Sequence, residues 1–250
     1  MNPVGTPTPL YTVIMVFAVA TGVALARWTQ PRLGLGLRER LGIGLGAFCG
    51  GMIGAKLPFL LTDWQGLLTG QAFFENGKTI VFGIVGGYLG VELAKLYLGI
   101  KVKTGDSFAV PVAAAVAIGR LACFSAGCCR GKESSVPWAI DFGDGVRCHP
   151  AQLYEFAFHF TMCAILARLW KQGSFPGQLI KLYILTYLGY RFLSEFIRAE
   201  PVVTFGLTVY QWACLALVPV FLLLWIRERP RVDVRPSKAW NNQGGHLPRN

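Results

Sequence analysis

The sequence predicts an all-α, polytopic membrane protein with about seven transmembrane helices. Three observations carry this. Apolar residues make up 53% of the 250-residue chain and charged residues only 15%, against about a quarter charged in a soluble domain. The apolar residues gather in runs of spanning length. The basic residues sit in the short loops between those runs, concentrated in every second loop.

The runs cover residues 10–27, 42–61, 79–98, 107–125, 150–170, 177–197 and 205–226. At 1.5 Å per residue each crosses about 30 Å of hydrocarbon, and a helix satisfies its own backbone polar groups there. The first run has no basic residue before it and no small-residue cleavage site behind it, ending in ARWTQPR. It reads as a retained helix, not a cleaved signal peptide. The second and third contain GIGLGAFCGGMIGAK and GIVGGYLG. These would weaken a soluble helix, but in a membrane small residues let helices pack closely. The fourth leads into RLACFSAGCCRG, and the fifth follows Pro150, a residue suited to a first turn.

Loop charges give the orientation. Arg27, Arg32, Arg38 and Arg40 follow the first run, and Lys101 and Lys103 the third. Arg168, Lys171 and Lys181 flank the loop after the fifth, and Arg227, Arg229, Arg231, Arg235 and Lys238 follow the seventh. These loops are expected in the cytoplasm, with the amino end outside and the carboxyl end inside. Residues 1–226 then form the membrane domain and 227–250 a basic, disordered cytoplasmic tail. The longest loop, Ser125–His149, faces outward. The net charge of +11 is not gathered on one amphipathic element, which argues against a nucleic-acid partner.

Ionisable residues within spans cost roughly 2.5–3.5 kcal/mol each on insertion scales and mark functional candidates. Arg120 lies in AVAIGRLACF, and Arg191, Glu195 and Arg198 share one face of YRFLSEFIRAEP. Gln152, Glu155 and His159 form a second stripe, with Lys56 and Glu92 elsewhere. Such charges either pair internally or serve a ligand. Three arginines on the outer side with few acids nearby leave positive charge over, which suits an anion. Guanidinium matches phosphate bidentately, and at the outer edge of a bilayer the available anion is a phospholipid headgroup.

GRLACF, GCCRG, PWAIDF, RCHPAQLYE and YRFLSEFIRAEP, in this order over residues 10–226, resemble the outer-facing core of the bacterial prolipoprotein diacylglyceryl transferases. Tyr11 matches a family tyrosine near the start of the first helix, and GAKLPF is similar to the family's GARLGY with Lys56 for Arg. The resemblance implies transfer of the diacylglyceryl group of phosphatidylglycerol to the lipobox cysteine of exported preprolipoproteins. A thioether forms and glycerol phosphate leaves, at the outer leaflet of the cytoplasmic membrane, without cofactor or metal. It implies catalytic roles for Arg120, Arg191, Glu195 and His149, with Glu195 orienting Arg191. Phosphatidylglycerol contacts are implied for Arg120, Arg191, Arg198, Lys56, Tyr11, Gln152, Tyr154, Glu155 and Gly131. A divergent, non-catalytic lipid-binding relative and an outer-face thiol oxidoreductase stand as alternatives.

The chain departs from the family pattern in three places. Val81 or Val85 occupies the position of a third-helix His proposed as a base, which leaves the general base unassigned. Cys123 replaces a common Asn, and Cys128 a common Glu. Cys49, Cys163 and Cys214 lie within spans and read as small buried apolar residues. Cys128, Cys129 and Cys148 face an oxidising side, where Cys148 is expected to pair with Cys128 or Cys129. Zinc held by Cys128, Cys129, Cys148 and His149 is disfavoured, because adjacent ligands suit a tetrahedral site poorly.

Overall fold

A computed structural model describes residues 8–62 and 79–228. The described residues form seven α-helices: α1 Pro9–Thr29, α2 Leu37–Thr62, α3 Ile80–Leu98, α4 Gly105–Ser125, α5 Ala151–Gln172, α6 Leu179–Ser194 and α7 Val209–Arg227. A 3₁₀ turn, Glu195–Ile197, continues α6. Two short antiparallel hairpins complete the fold. β1 Ile140–Asp141 pairs with β2 Arg147–Cys148, and β3 Val202–Thr204 with β4 Leu207–Thr208. The fold is that of an all-α polytopic membrane protein. The expected tail, from residue 229 on, lies outside the described residues.

Five helices, α1, α2, α3, α4 and α7, are long and apolar enough to cross a membrane. Their exposed faces are apolar, as at Val13, Val16 and Phe17 on α1 and Leu222, Leu223 and Ile226 on α7. Helices α5 and α6 carry the polar load instead: Gln152, Glu155 and His159 on one, Lys181 and Arg191 on the other, all buried. Neighbouring helices shelter these groups, so the two need not be apolar throughout.

The expected start of the last helix is corrected. Residues 202–208 turn back as the β3–β4 hairpin, with Phe205 and Gly206 in left-handed backbone (φ 52° and 74°). Helix α7 begins only at Val209, capped by Thr208, whose side chain accepts from Gln211 N while Gln211 Oε1 accepts from Thr208 N. That reciprocal cap satisfies two donors that the first turn leaves over.

Helix α2 lies against α3 almost backbone to backbone. A Cβ added at Gly50 would stand 2.8 Å from Gly90 Cα, and one at Gly54 2.9 Å from Gly86 Cα. Helix α1 packs on α4, with Gly22 against Ala115. Between these two pairs runs a cavity of about 790 Å³. Helix α6 closes the core behind it, burying Tyr183, Ile184, Tyr187 and Leu188, and Asp106 of α4 caps its start by accepting from Gly177 N and Leu179 N.

At the end of the bundle where α4 stops and α5 and α7 start, the loops are stitched together. Gly131 N donates to His149 O (2.9 Å), Lys132 N to Ile197 O (2.7 Å) and His149 N to Lys132 O (3.0 Å). Gly131 stands where three segments cross: a Cβ there would meet both His149 Cβ and Ile197 O at 2.7 Å.

Candidate active site

Three helices aim polar side chains at this end of the bundle. Arg120 continues the buried stripe Ala109, Ala113, Ala117 of α4, one face at helical spacing. Gln152, Glu155 and His159 do the same on α5, above Met162 and Leu166. Tyr183, Tyr187 and Arg191 recur every four residues on α6. Each polar group is therefore carried inward by the apolar face that buries it.

The charges alternate. Arg120 Nη2 meets Glu155 Oε2 at 3.0 Å. Arg198 stands 3.9 Å from Glu155 and 3.8 Å from Glu195, and Arg191 Nη2 forms an ion pair with Glu195 Oε2 at 2.8 Å. Glu155 also accepts from Tyr187 Oη (2.6 Å), and Glu195 from Thr208 Oγ1 (2.9 Å). His159, 3.9 Å from Glu155, bonds Tyr183 Oη at 2.8 Å. The Arg191 guanidinium lies 5.0 Å from the Tyr210 ring centroid, within cation–π range. The expected surplus of arginine is thus largely answered. Three arginines face two carboxylates between them and a third, Glu200, at 3.7 Å from Arg198. Glu155 and Glu195 convert a positive cluster into an ordered chain.

The polar end of the cavity is built from Tyr11, Arg120, Cys123, Cys128 and Cys129. Arg120 is the arginine on the wall, and its Nε is buried without a hydrogen-bond partner. From Cys123 the wall follows α4 through Gly119, Val116, Val112 and Phe108 to Gly105, 18 residues or about 27 Å. Met15 and Val19 of α1 and Gly51, Gly83, Ile84 and Gly87 of the α2–α3 pair also line it, together with Thr79, Tyr88 and Glu92. A mostly apolar slot of nearly membrane length, with one guanidinium at its head and its one carboxylate, Glu92, paired with Lys95, suits a chain-bearing anion.

The other sequence candidates fall into place around this head. Gln152 donates to Cys128 O at 2.6 Å and fastens the turn after α4. His149 Nδ1 and Tyr154 Oη lie 3.2 Å apart, and Trp138 Nε1 donates to the same hydroxyl at 2.6 Å. That trio ties the loop before α5 to the first turn of that helix, apart from the arginine chain. Lys56 is buried on α2, next to the wall residue Ala55. Gly131 serves backbone packing. Val81 and Val85 sit in the packed core beside Ile84 rather than on the cavity wall. Tyr183, Tyr187, Thr208 and Tyr210 were not singled out by sequence, although YILTYLGYR places Tyr183, Tyr187 and Arg191 on one face.

The expected disulfide is not formed: all seven cysteines are free. Cys148 is held in β2 opposite Ile140 and bridged to Glu133. Cys128 and Cys129 turn the other way, towards Cys123. Hydrogen bonds from the Cys123 and Cys128 thiols push the Cys129 thiol below its ordinary value, aided by Arg120 and Arg198.

A family profile described as prolipoprotein diacylglyceryl transferase matches residues 4–227. The chain belongs to the prolipoprotein diacylglyceryl transferase family. Relatives bear the name phosphatidylglycerol–prolipoprotein diacylglyceryl transferase. One from Clostridium tetani is 30% identical over 61% of this chain and 65% of its own length. One from Clostridioides difficile is 29% identical over 76% and 78%, and one from Nitrosomonas europaea 30% identical over 78% and 73%. The match with the Clostridium tetani relative thus spans just under two thirds of that relative.

Proposed function

We propose that this protein transfers the diacylglyceryl group of phosphatidylglycerol to the lipobox cysteine thiol of exported preprolipoproteins. The observation that carries the reading is Arg120 at the head of the long apolar cavity. The acyl chains lie in the slot and the phosphate meets the free face of Arg120. The substrate sulfur bonds to the glycerol carbon, the carbon–oxygen bond to phosphate breaks, and glycerol phosphate leaves with the electron pair. The thiol proton is released. Charge on the departing phosphate is stabilised by a donor already in place. Arg191 and Arg198 act through Glu195 and Glu155, holding Arg120 and the surrounding turn in position. Tyr11 borders the headgroup, and His149 and Tyr154 lie where the peptide approaches.

The protein spans the bacterial cytoplasmic membrane with this head towards the outer leaflet, its amino end outside and residues 227–250 in the cytoplasm. The alternating basic loops support this orientation. Arg27 and Arg227 end α1 and α7 at the opposite end of the bundle from Arg120.

The test uses purified protein, labelled phosphatidylglycerol and a lipobox peptide. Label moves to the peptide cysteine with the native chain and not with Arg120→Ala. Transfer undiminished by that substitution removes Arg120 from the phosphate site, and no transfer by folded native protein rejects the activity.

A further inference from the structure

Three thiols meet beside Arg120. Cys123 stands in the last turn of α4, and Cys128 and Cys129 follow in the turn that leaves it. Their sulfurs all lie within 4.8 Å of one another, and all three residues line the head of the cavity. Adjacent cysteines ordinarily diverge. Here Cys129 adopts left-handed backbone, φ 59°, after Gly127 at φ 67°. Such a conformation is strained for a non-glycine residue and persists where its surroundings fix it. Two side chains do so: Gln152 Nε2 donates to Cys128 O at 2.6 Å, and Arg198 Nη1 to Cys129 O at 3.4 Å. Both thiols consequently turn towards Cys123.

The spacing matches a metal. Tetrahedral zinc, with Zn–S near 2.3 Å, places its sulfurs about 3.8 Å apart. The thiols close to that distance by moving about 1 Å. Soft thiolates select zinc and copper(I) over hard cations. Among the described residues no fourth His, Cys, Asp or Glu joins the group, and Glu155 is engaged by Arg120 and Tyr187. Three protein ligands with an open fourth position mark a catalytic zinc site, whereas four mark a structural one. The open position borders the lipid cavity. Three thiolates on a dication leave one negative charge, and Arg120 Nη1 donates to Cys123 Sγ at 3.8 Å.

We propose that Cys123, Cys128 and Cys129 bind zinc, and that its open position takes up the substrate thiol as thiolate. The proposal rests on the transferase reading above. Coordination deprotonates a thiol, so the substrate proton passes to solvent as the peptide binds. The bound sulfur then bonds to the glycerol carbon while the carbon–oxygen bond to phosphate breaks. Glycerol phosphate leaves with the electron pair, and zinc keeps its oxidation state. The thioether product carries no charge and releases the metal. Activation of the nucleophile therefore needs no side-chain base at Val81 or Val85.

The full-length protein, reduced and in detergent, is equilibrated with zinc, and bound metal is measured by mass spectrometry. About one zinc per chain is expected, with at least tenfold weaker binding in Cys123→Ser and Cys129→Ser and no change in Cys163→Ser. The cobalt(II)-loaded protein is then titrated with a lipobox peptide and with its Cys→Ser analogue. Only the cysteine peptide should shift the visible spectrum. No stoichiometric zinc, or equal binding by the Cys123 and Cys129 variants, overturns the site. A spectrum unmoved by the cysteine peptide overturns thiol uptake, as does full lipid transfer by metal-stripped protein, which leaves the transferase reading intact. Zinc binding and a spectral response without lipid transfer support the site and count against the transferase reading.

Discussion

Arg120 of α4 and Glu155 of α5 form a 3.0 Å ion pair that is almost wholly enclosed, with side chains 7% and 2% exposed. Each is the other's condition for being buried. Removing one member of such a pair costs about 3–5 kcal/mol, because an uncompensated charge stays behind. Glu155→Ala is expected to lower thermal stability by that order. Arg120→Met with Glu155→Gln restores much of it, since the new side-chain amide oxygen still accepts from Tyr187. The double variant regains its melting temperature without regaining lipid transfer. Recovery of both together would mean that Arg120 serves only stability.

The α2–α3 contact predicts a sharp contrast between two glycines of one helix. Gly50→Ala places a methyl 2.8 Å from Gly90 Cα, whereas nothing lies within 4 Å of a Cβ at Gly44. Overpacking costs typically 1–3 kcal/mol, so Gly50→Ala should melt earlier. Gly44→Ala should be neutral or stabilising by about 0.5–1 kcal/mol from helix propensity. Thermal melts of the two variants in the same detergent check this.

The helices were legible because apolar runs of spanning length have few other fates, and Arg120 because a charge in such a run is conspicuous. Its partner was not. Glu155 lies 35 positions away on another helix, so the arginines looked unbalanced until α5 was packed against α4. The stretch VVTFGLTV is apolar enough to extend a helix on paper, and the left-handed turn at Phe205–Gly206 makes it a hairpin. Nor does a Cys-Cys pair announce convergence, which depends on the backbone of Cys129. The disulfide expected from sequence rested on thiols facing the same side, whereas the structure describes Cys128, Cys129 and Cys148 as free.

Thr208 performs two tasks, capping α7 and donating to Glu195 Oε1 at 2.9 Å. Loss of a cap alone costs about 1 kcal/mol. Thr208→Val removes both bonds and should cost more than Thr8→Val, where Thr8 only caps α1. It should also weaken lipid transfer through Arg191, while Thr8→Val leaves transfer unchanged. Paired melts and transfer assays separate the two roles.

Arg130 and Asp144 form an ion pair in the loop between α4 and α5, and that hydrogen bond holds the Asp144 carboxyl below its ordinary value. A depressed carboxylate stabilises the fold above its unfolded pKa, about 3.9, and the contribution is lost as pH falls through the lower folded value. Amide protection around Asp144, measured as exchange relative to the intrinsic rate at each pH, should therefore fall below about pH 4, and Asp144→Asn should flatten that dependence. The pair is exposed, so high salt should weaken it as well.

If the slot holds acyl chains, filling it should harm lipid binding and little else. Val116 lies on the cavity wall one helical turn from Arg120. Val116→Trp adds a large ring to space that the structure leaves between the helix pairs, without touching the ion-pair chain. The expected result is at least a tenfold loss in kcat/KM for phosphatidylglycerol, about 1.4 kcal/mol, carried mainly by KM. Leu93→Trp is the matched control, because Leu93 is 66% exposed on the outer face of α3 and is not on the wall. Equal loss in both variants would show that the ring harms the helix bundle generally, and the slot would lose its claim to the chains. Loss confined to Val116→Trp, with melting temperatures alike, ties the cavity along α4 to the lipid.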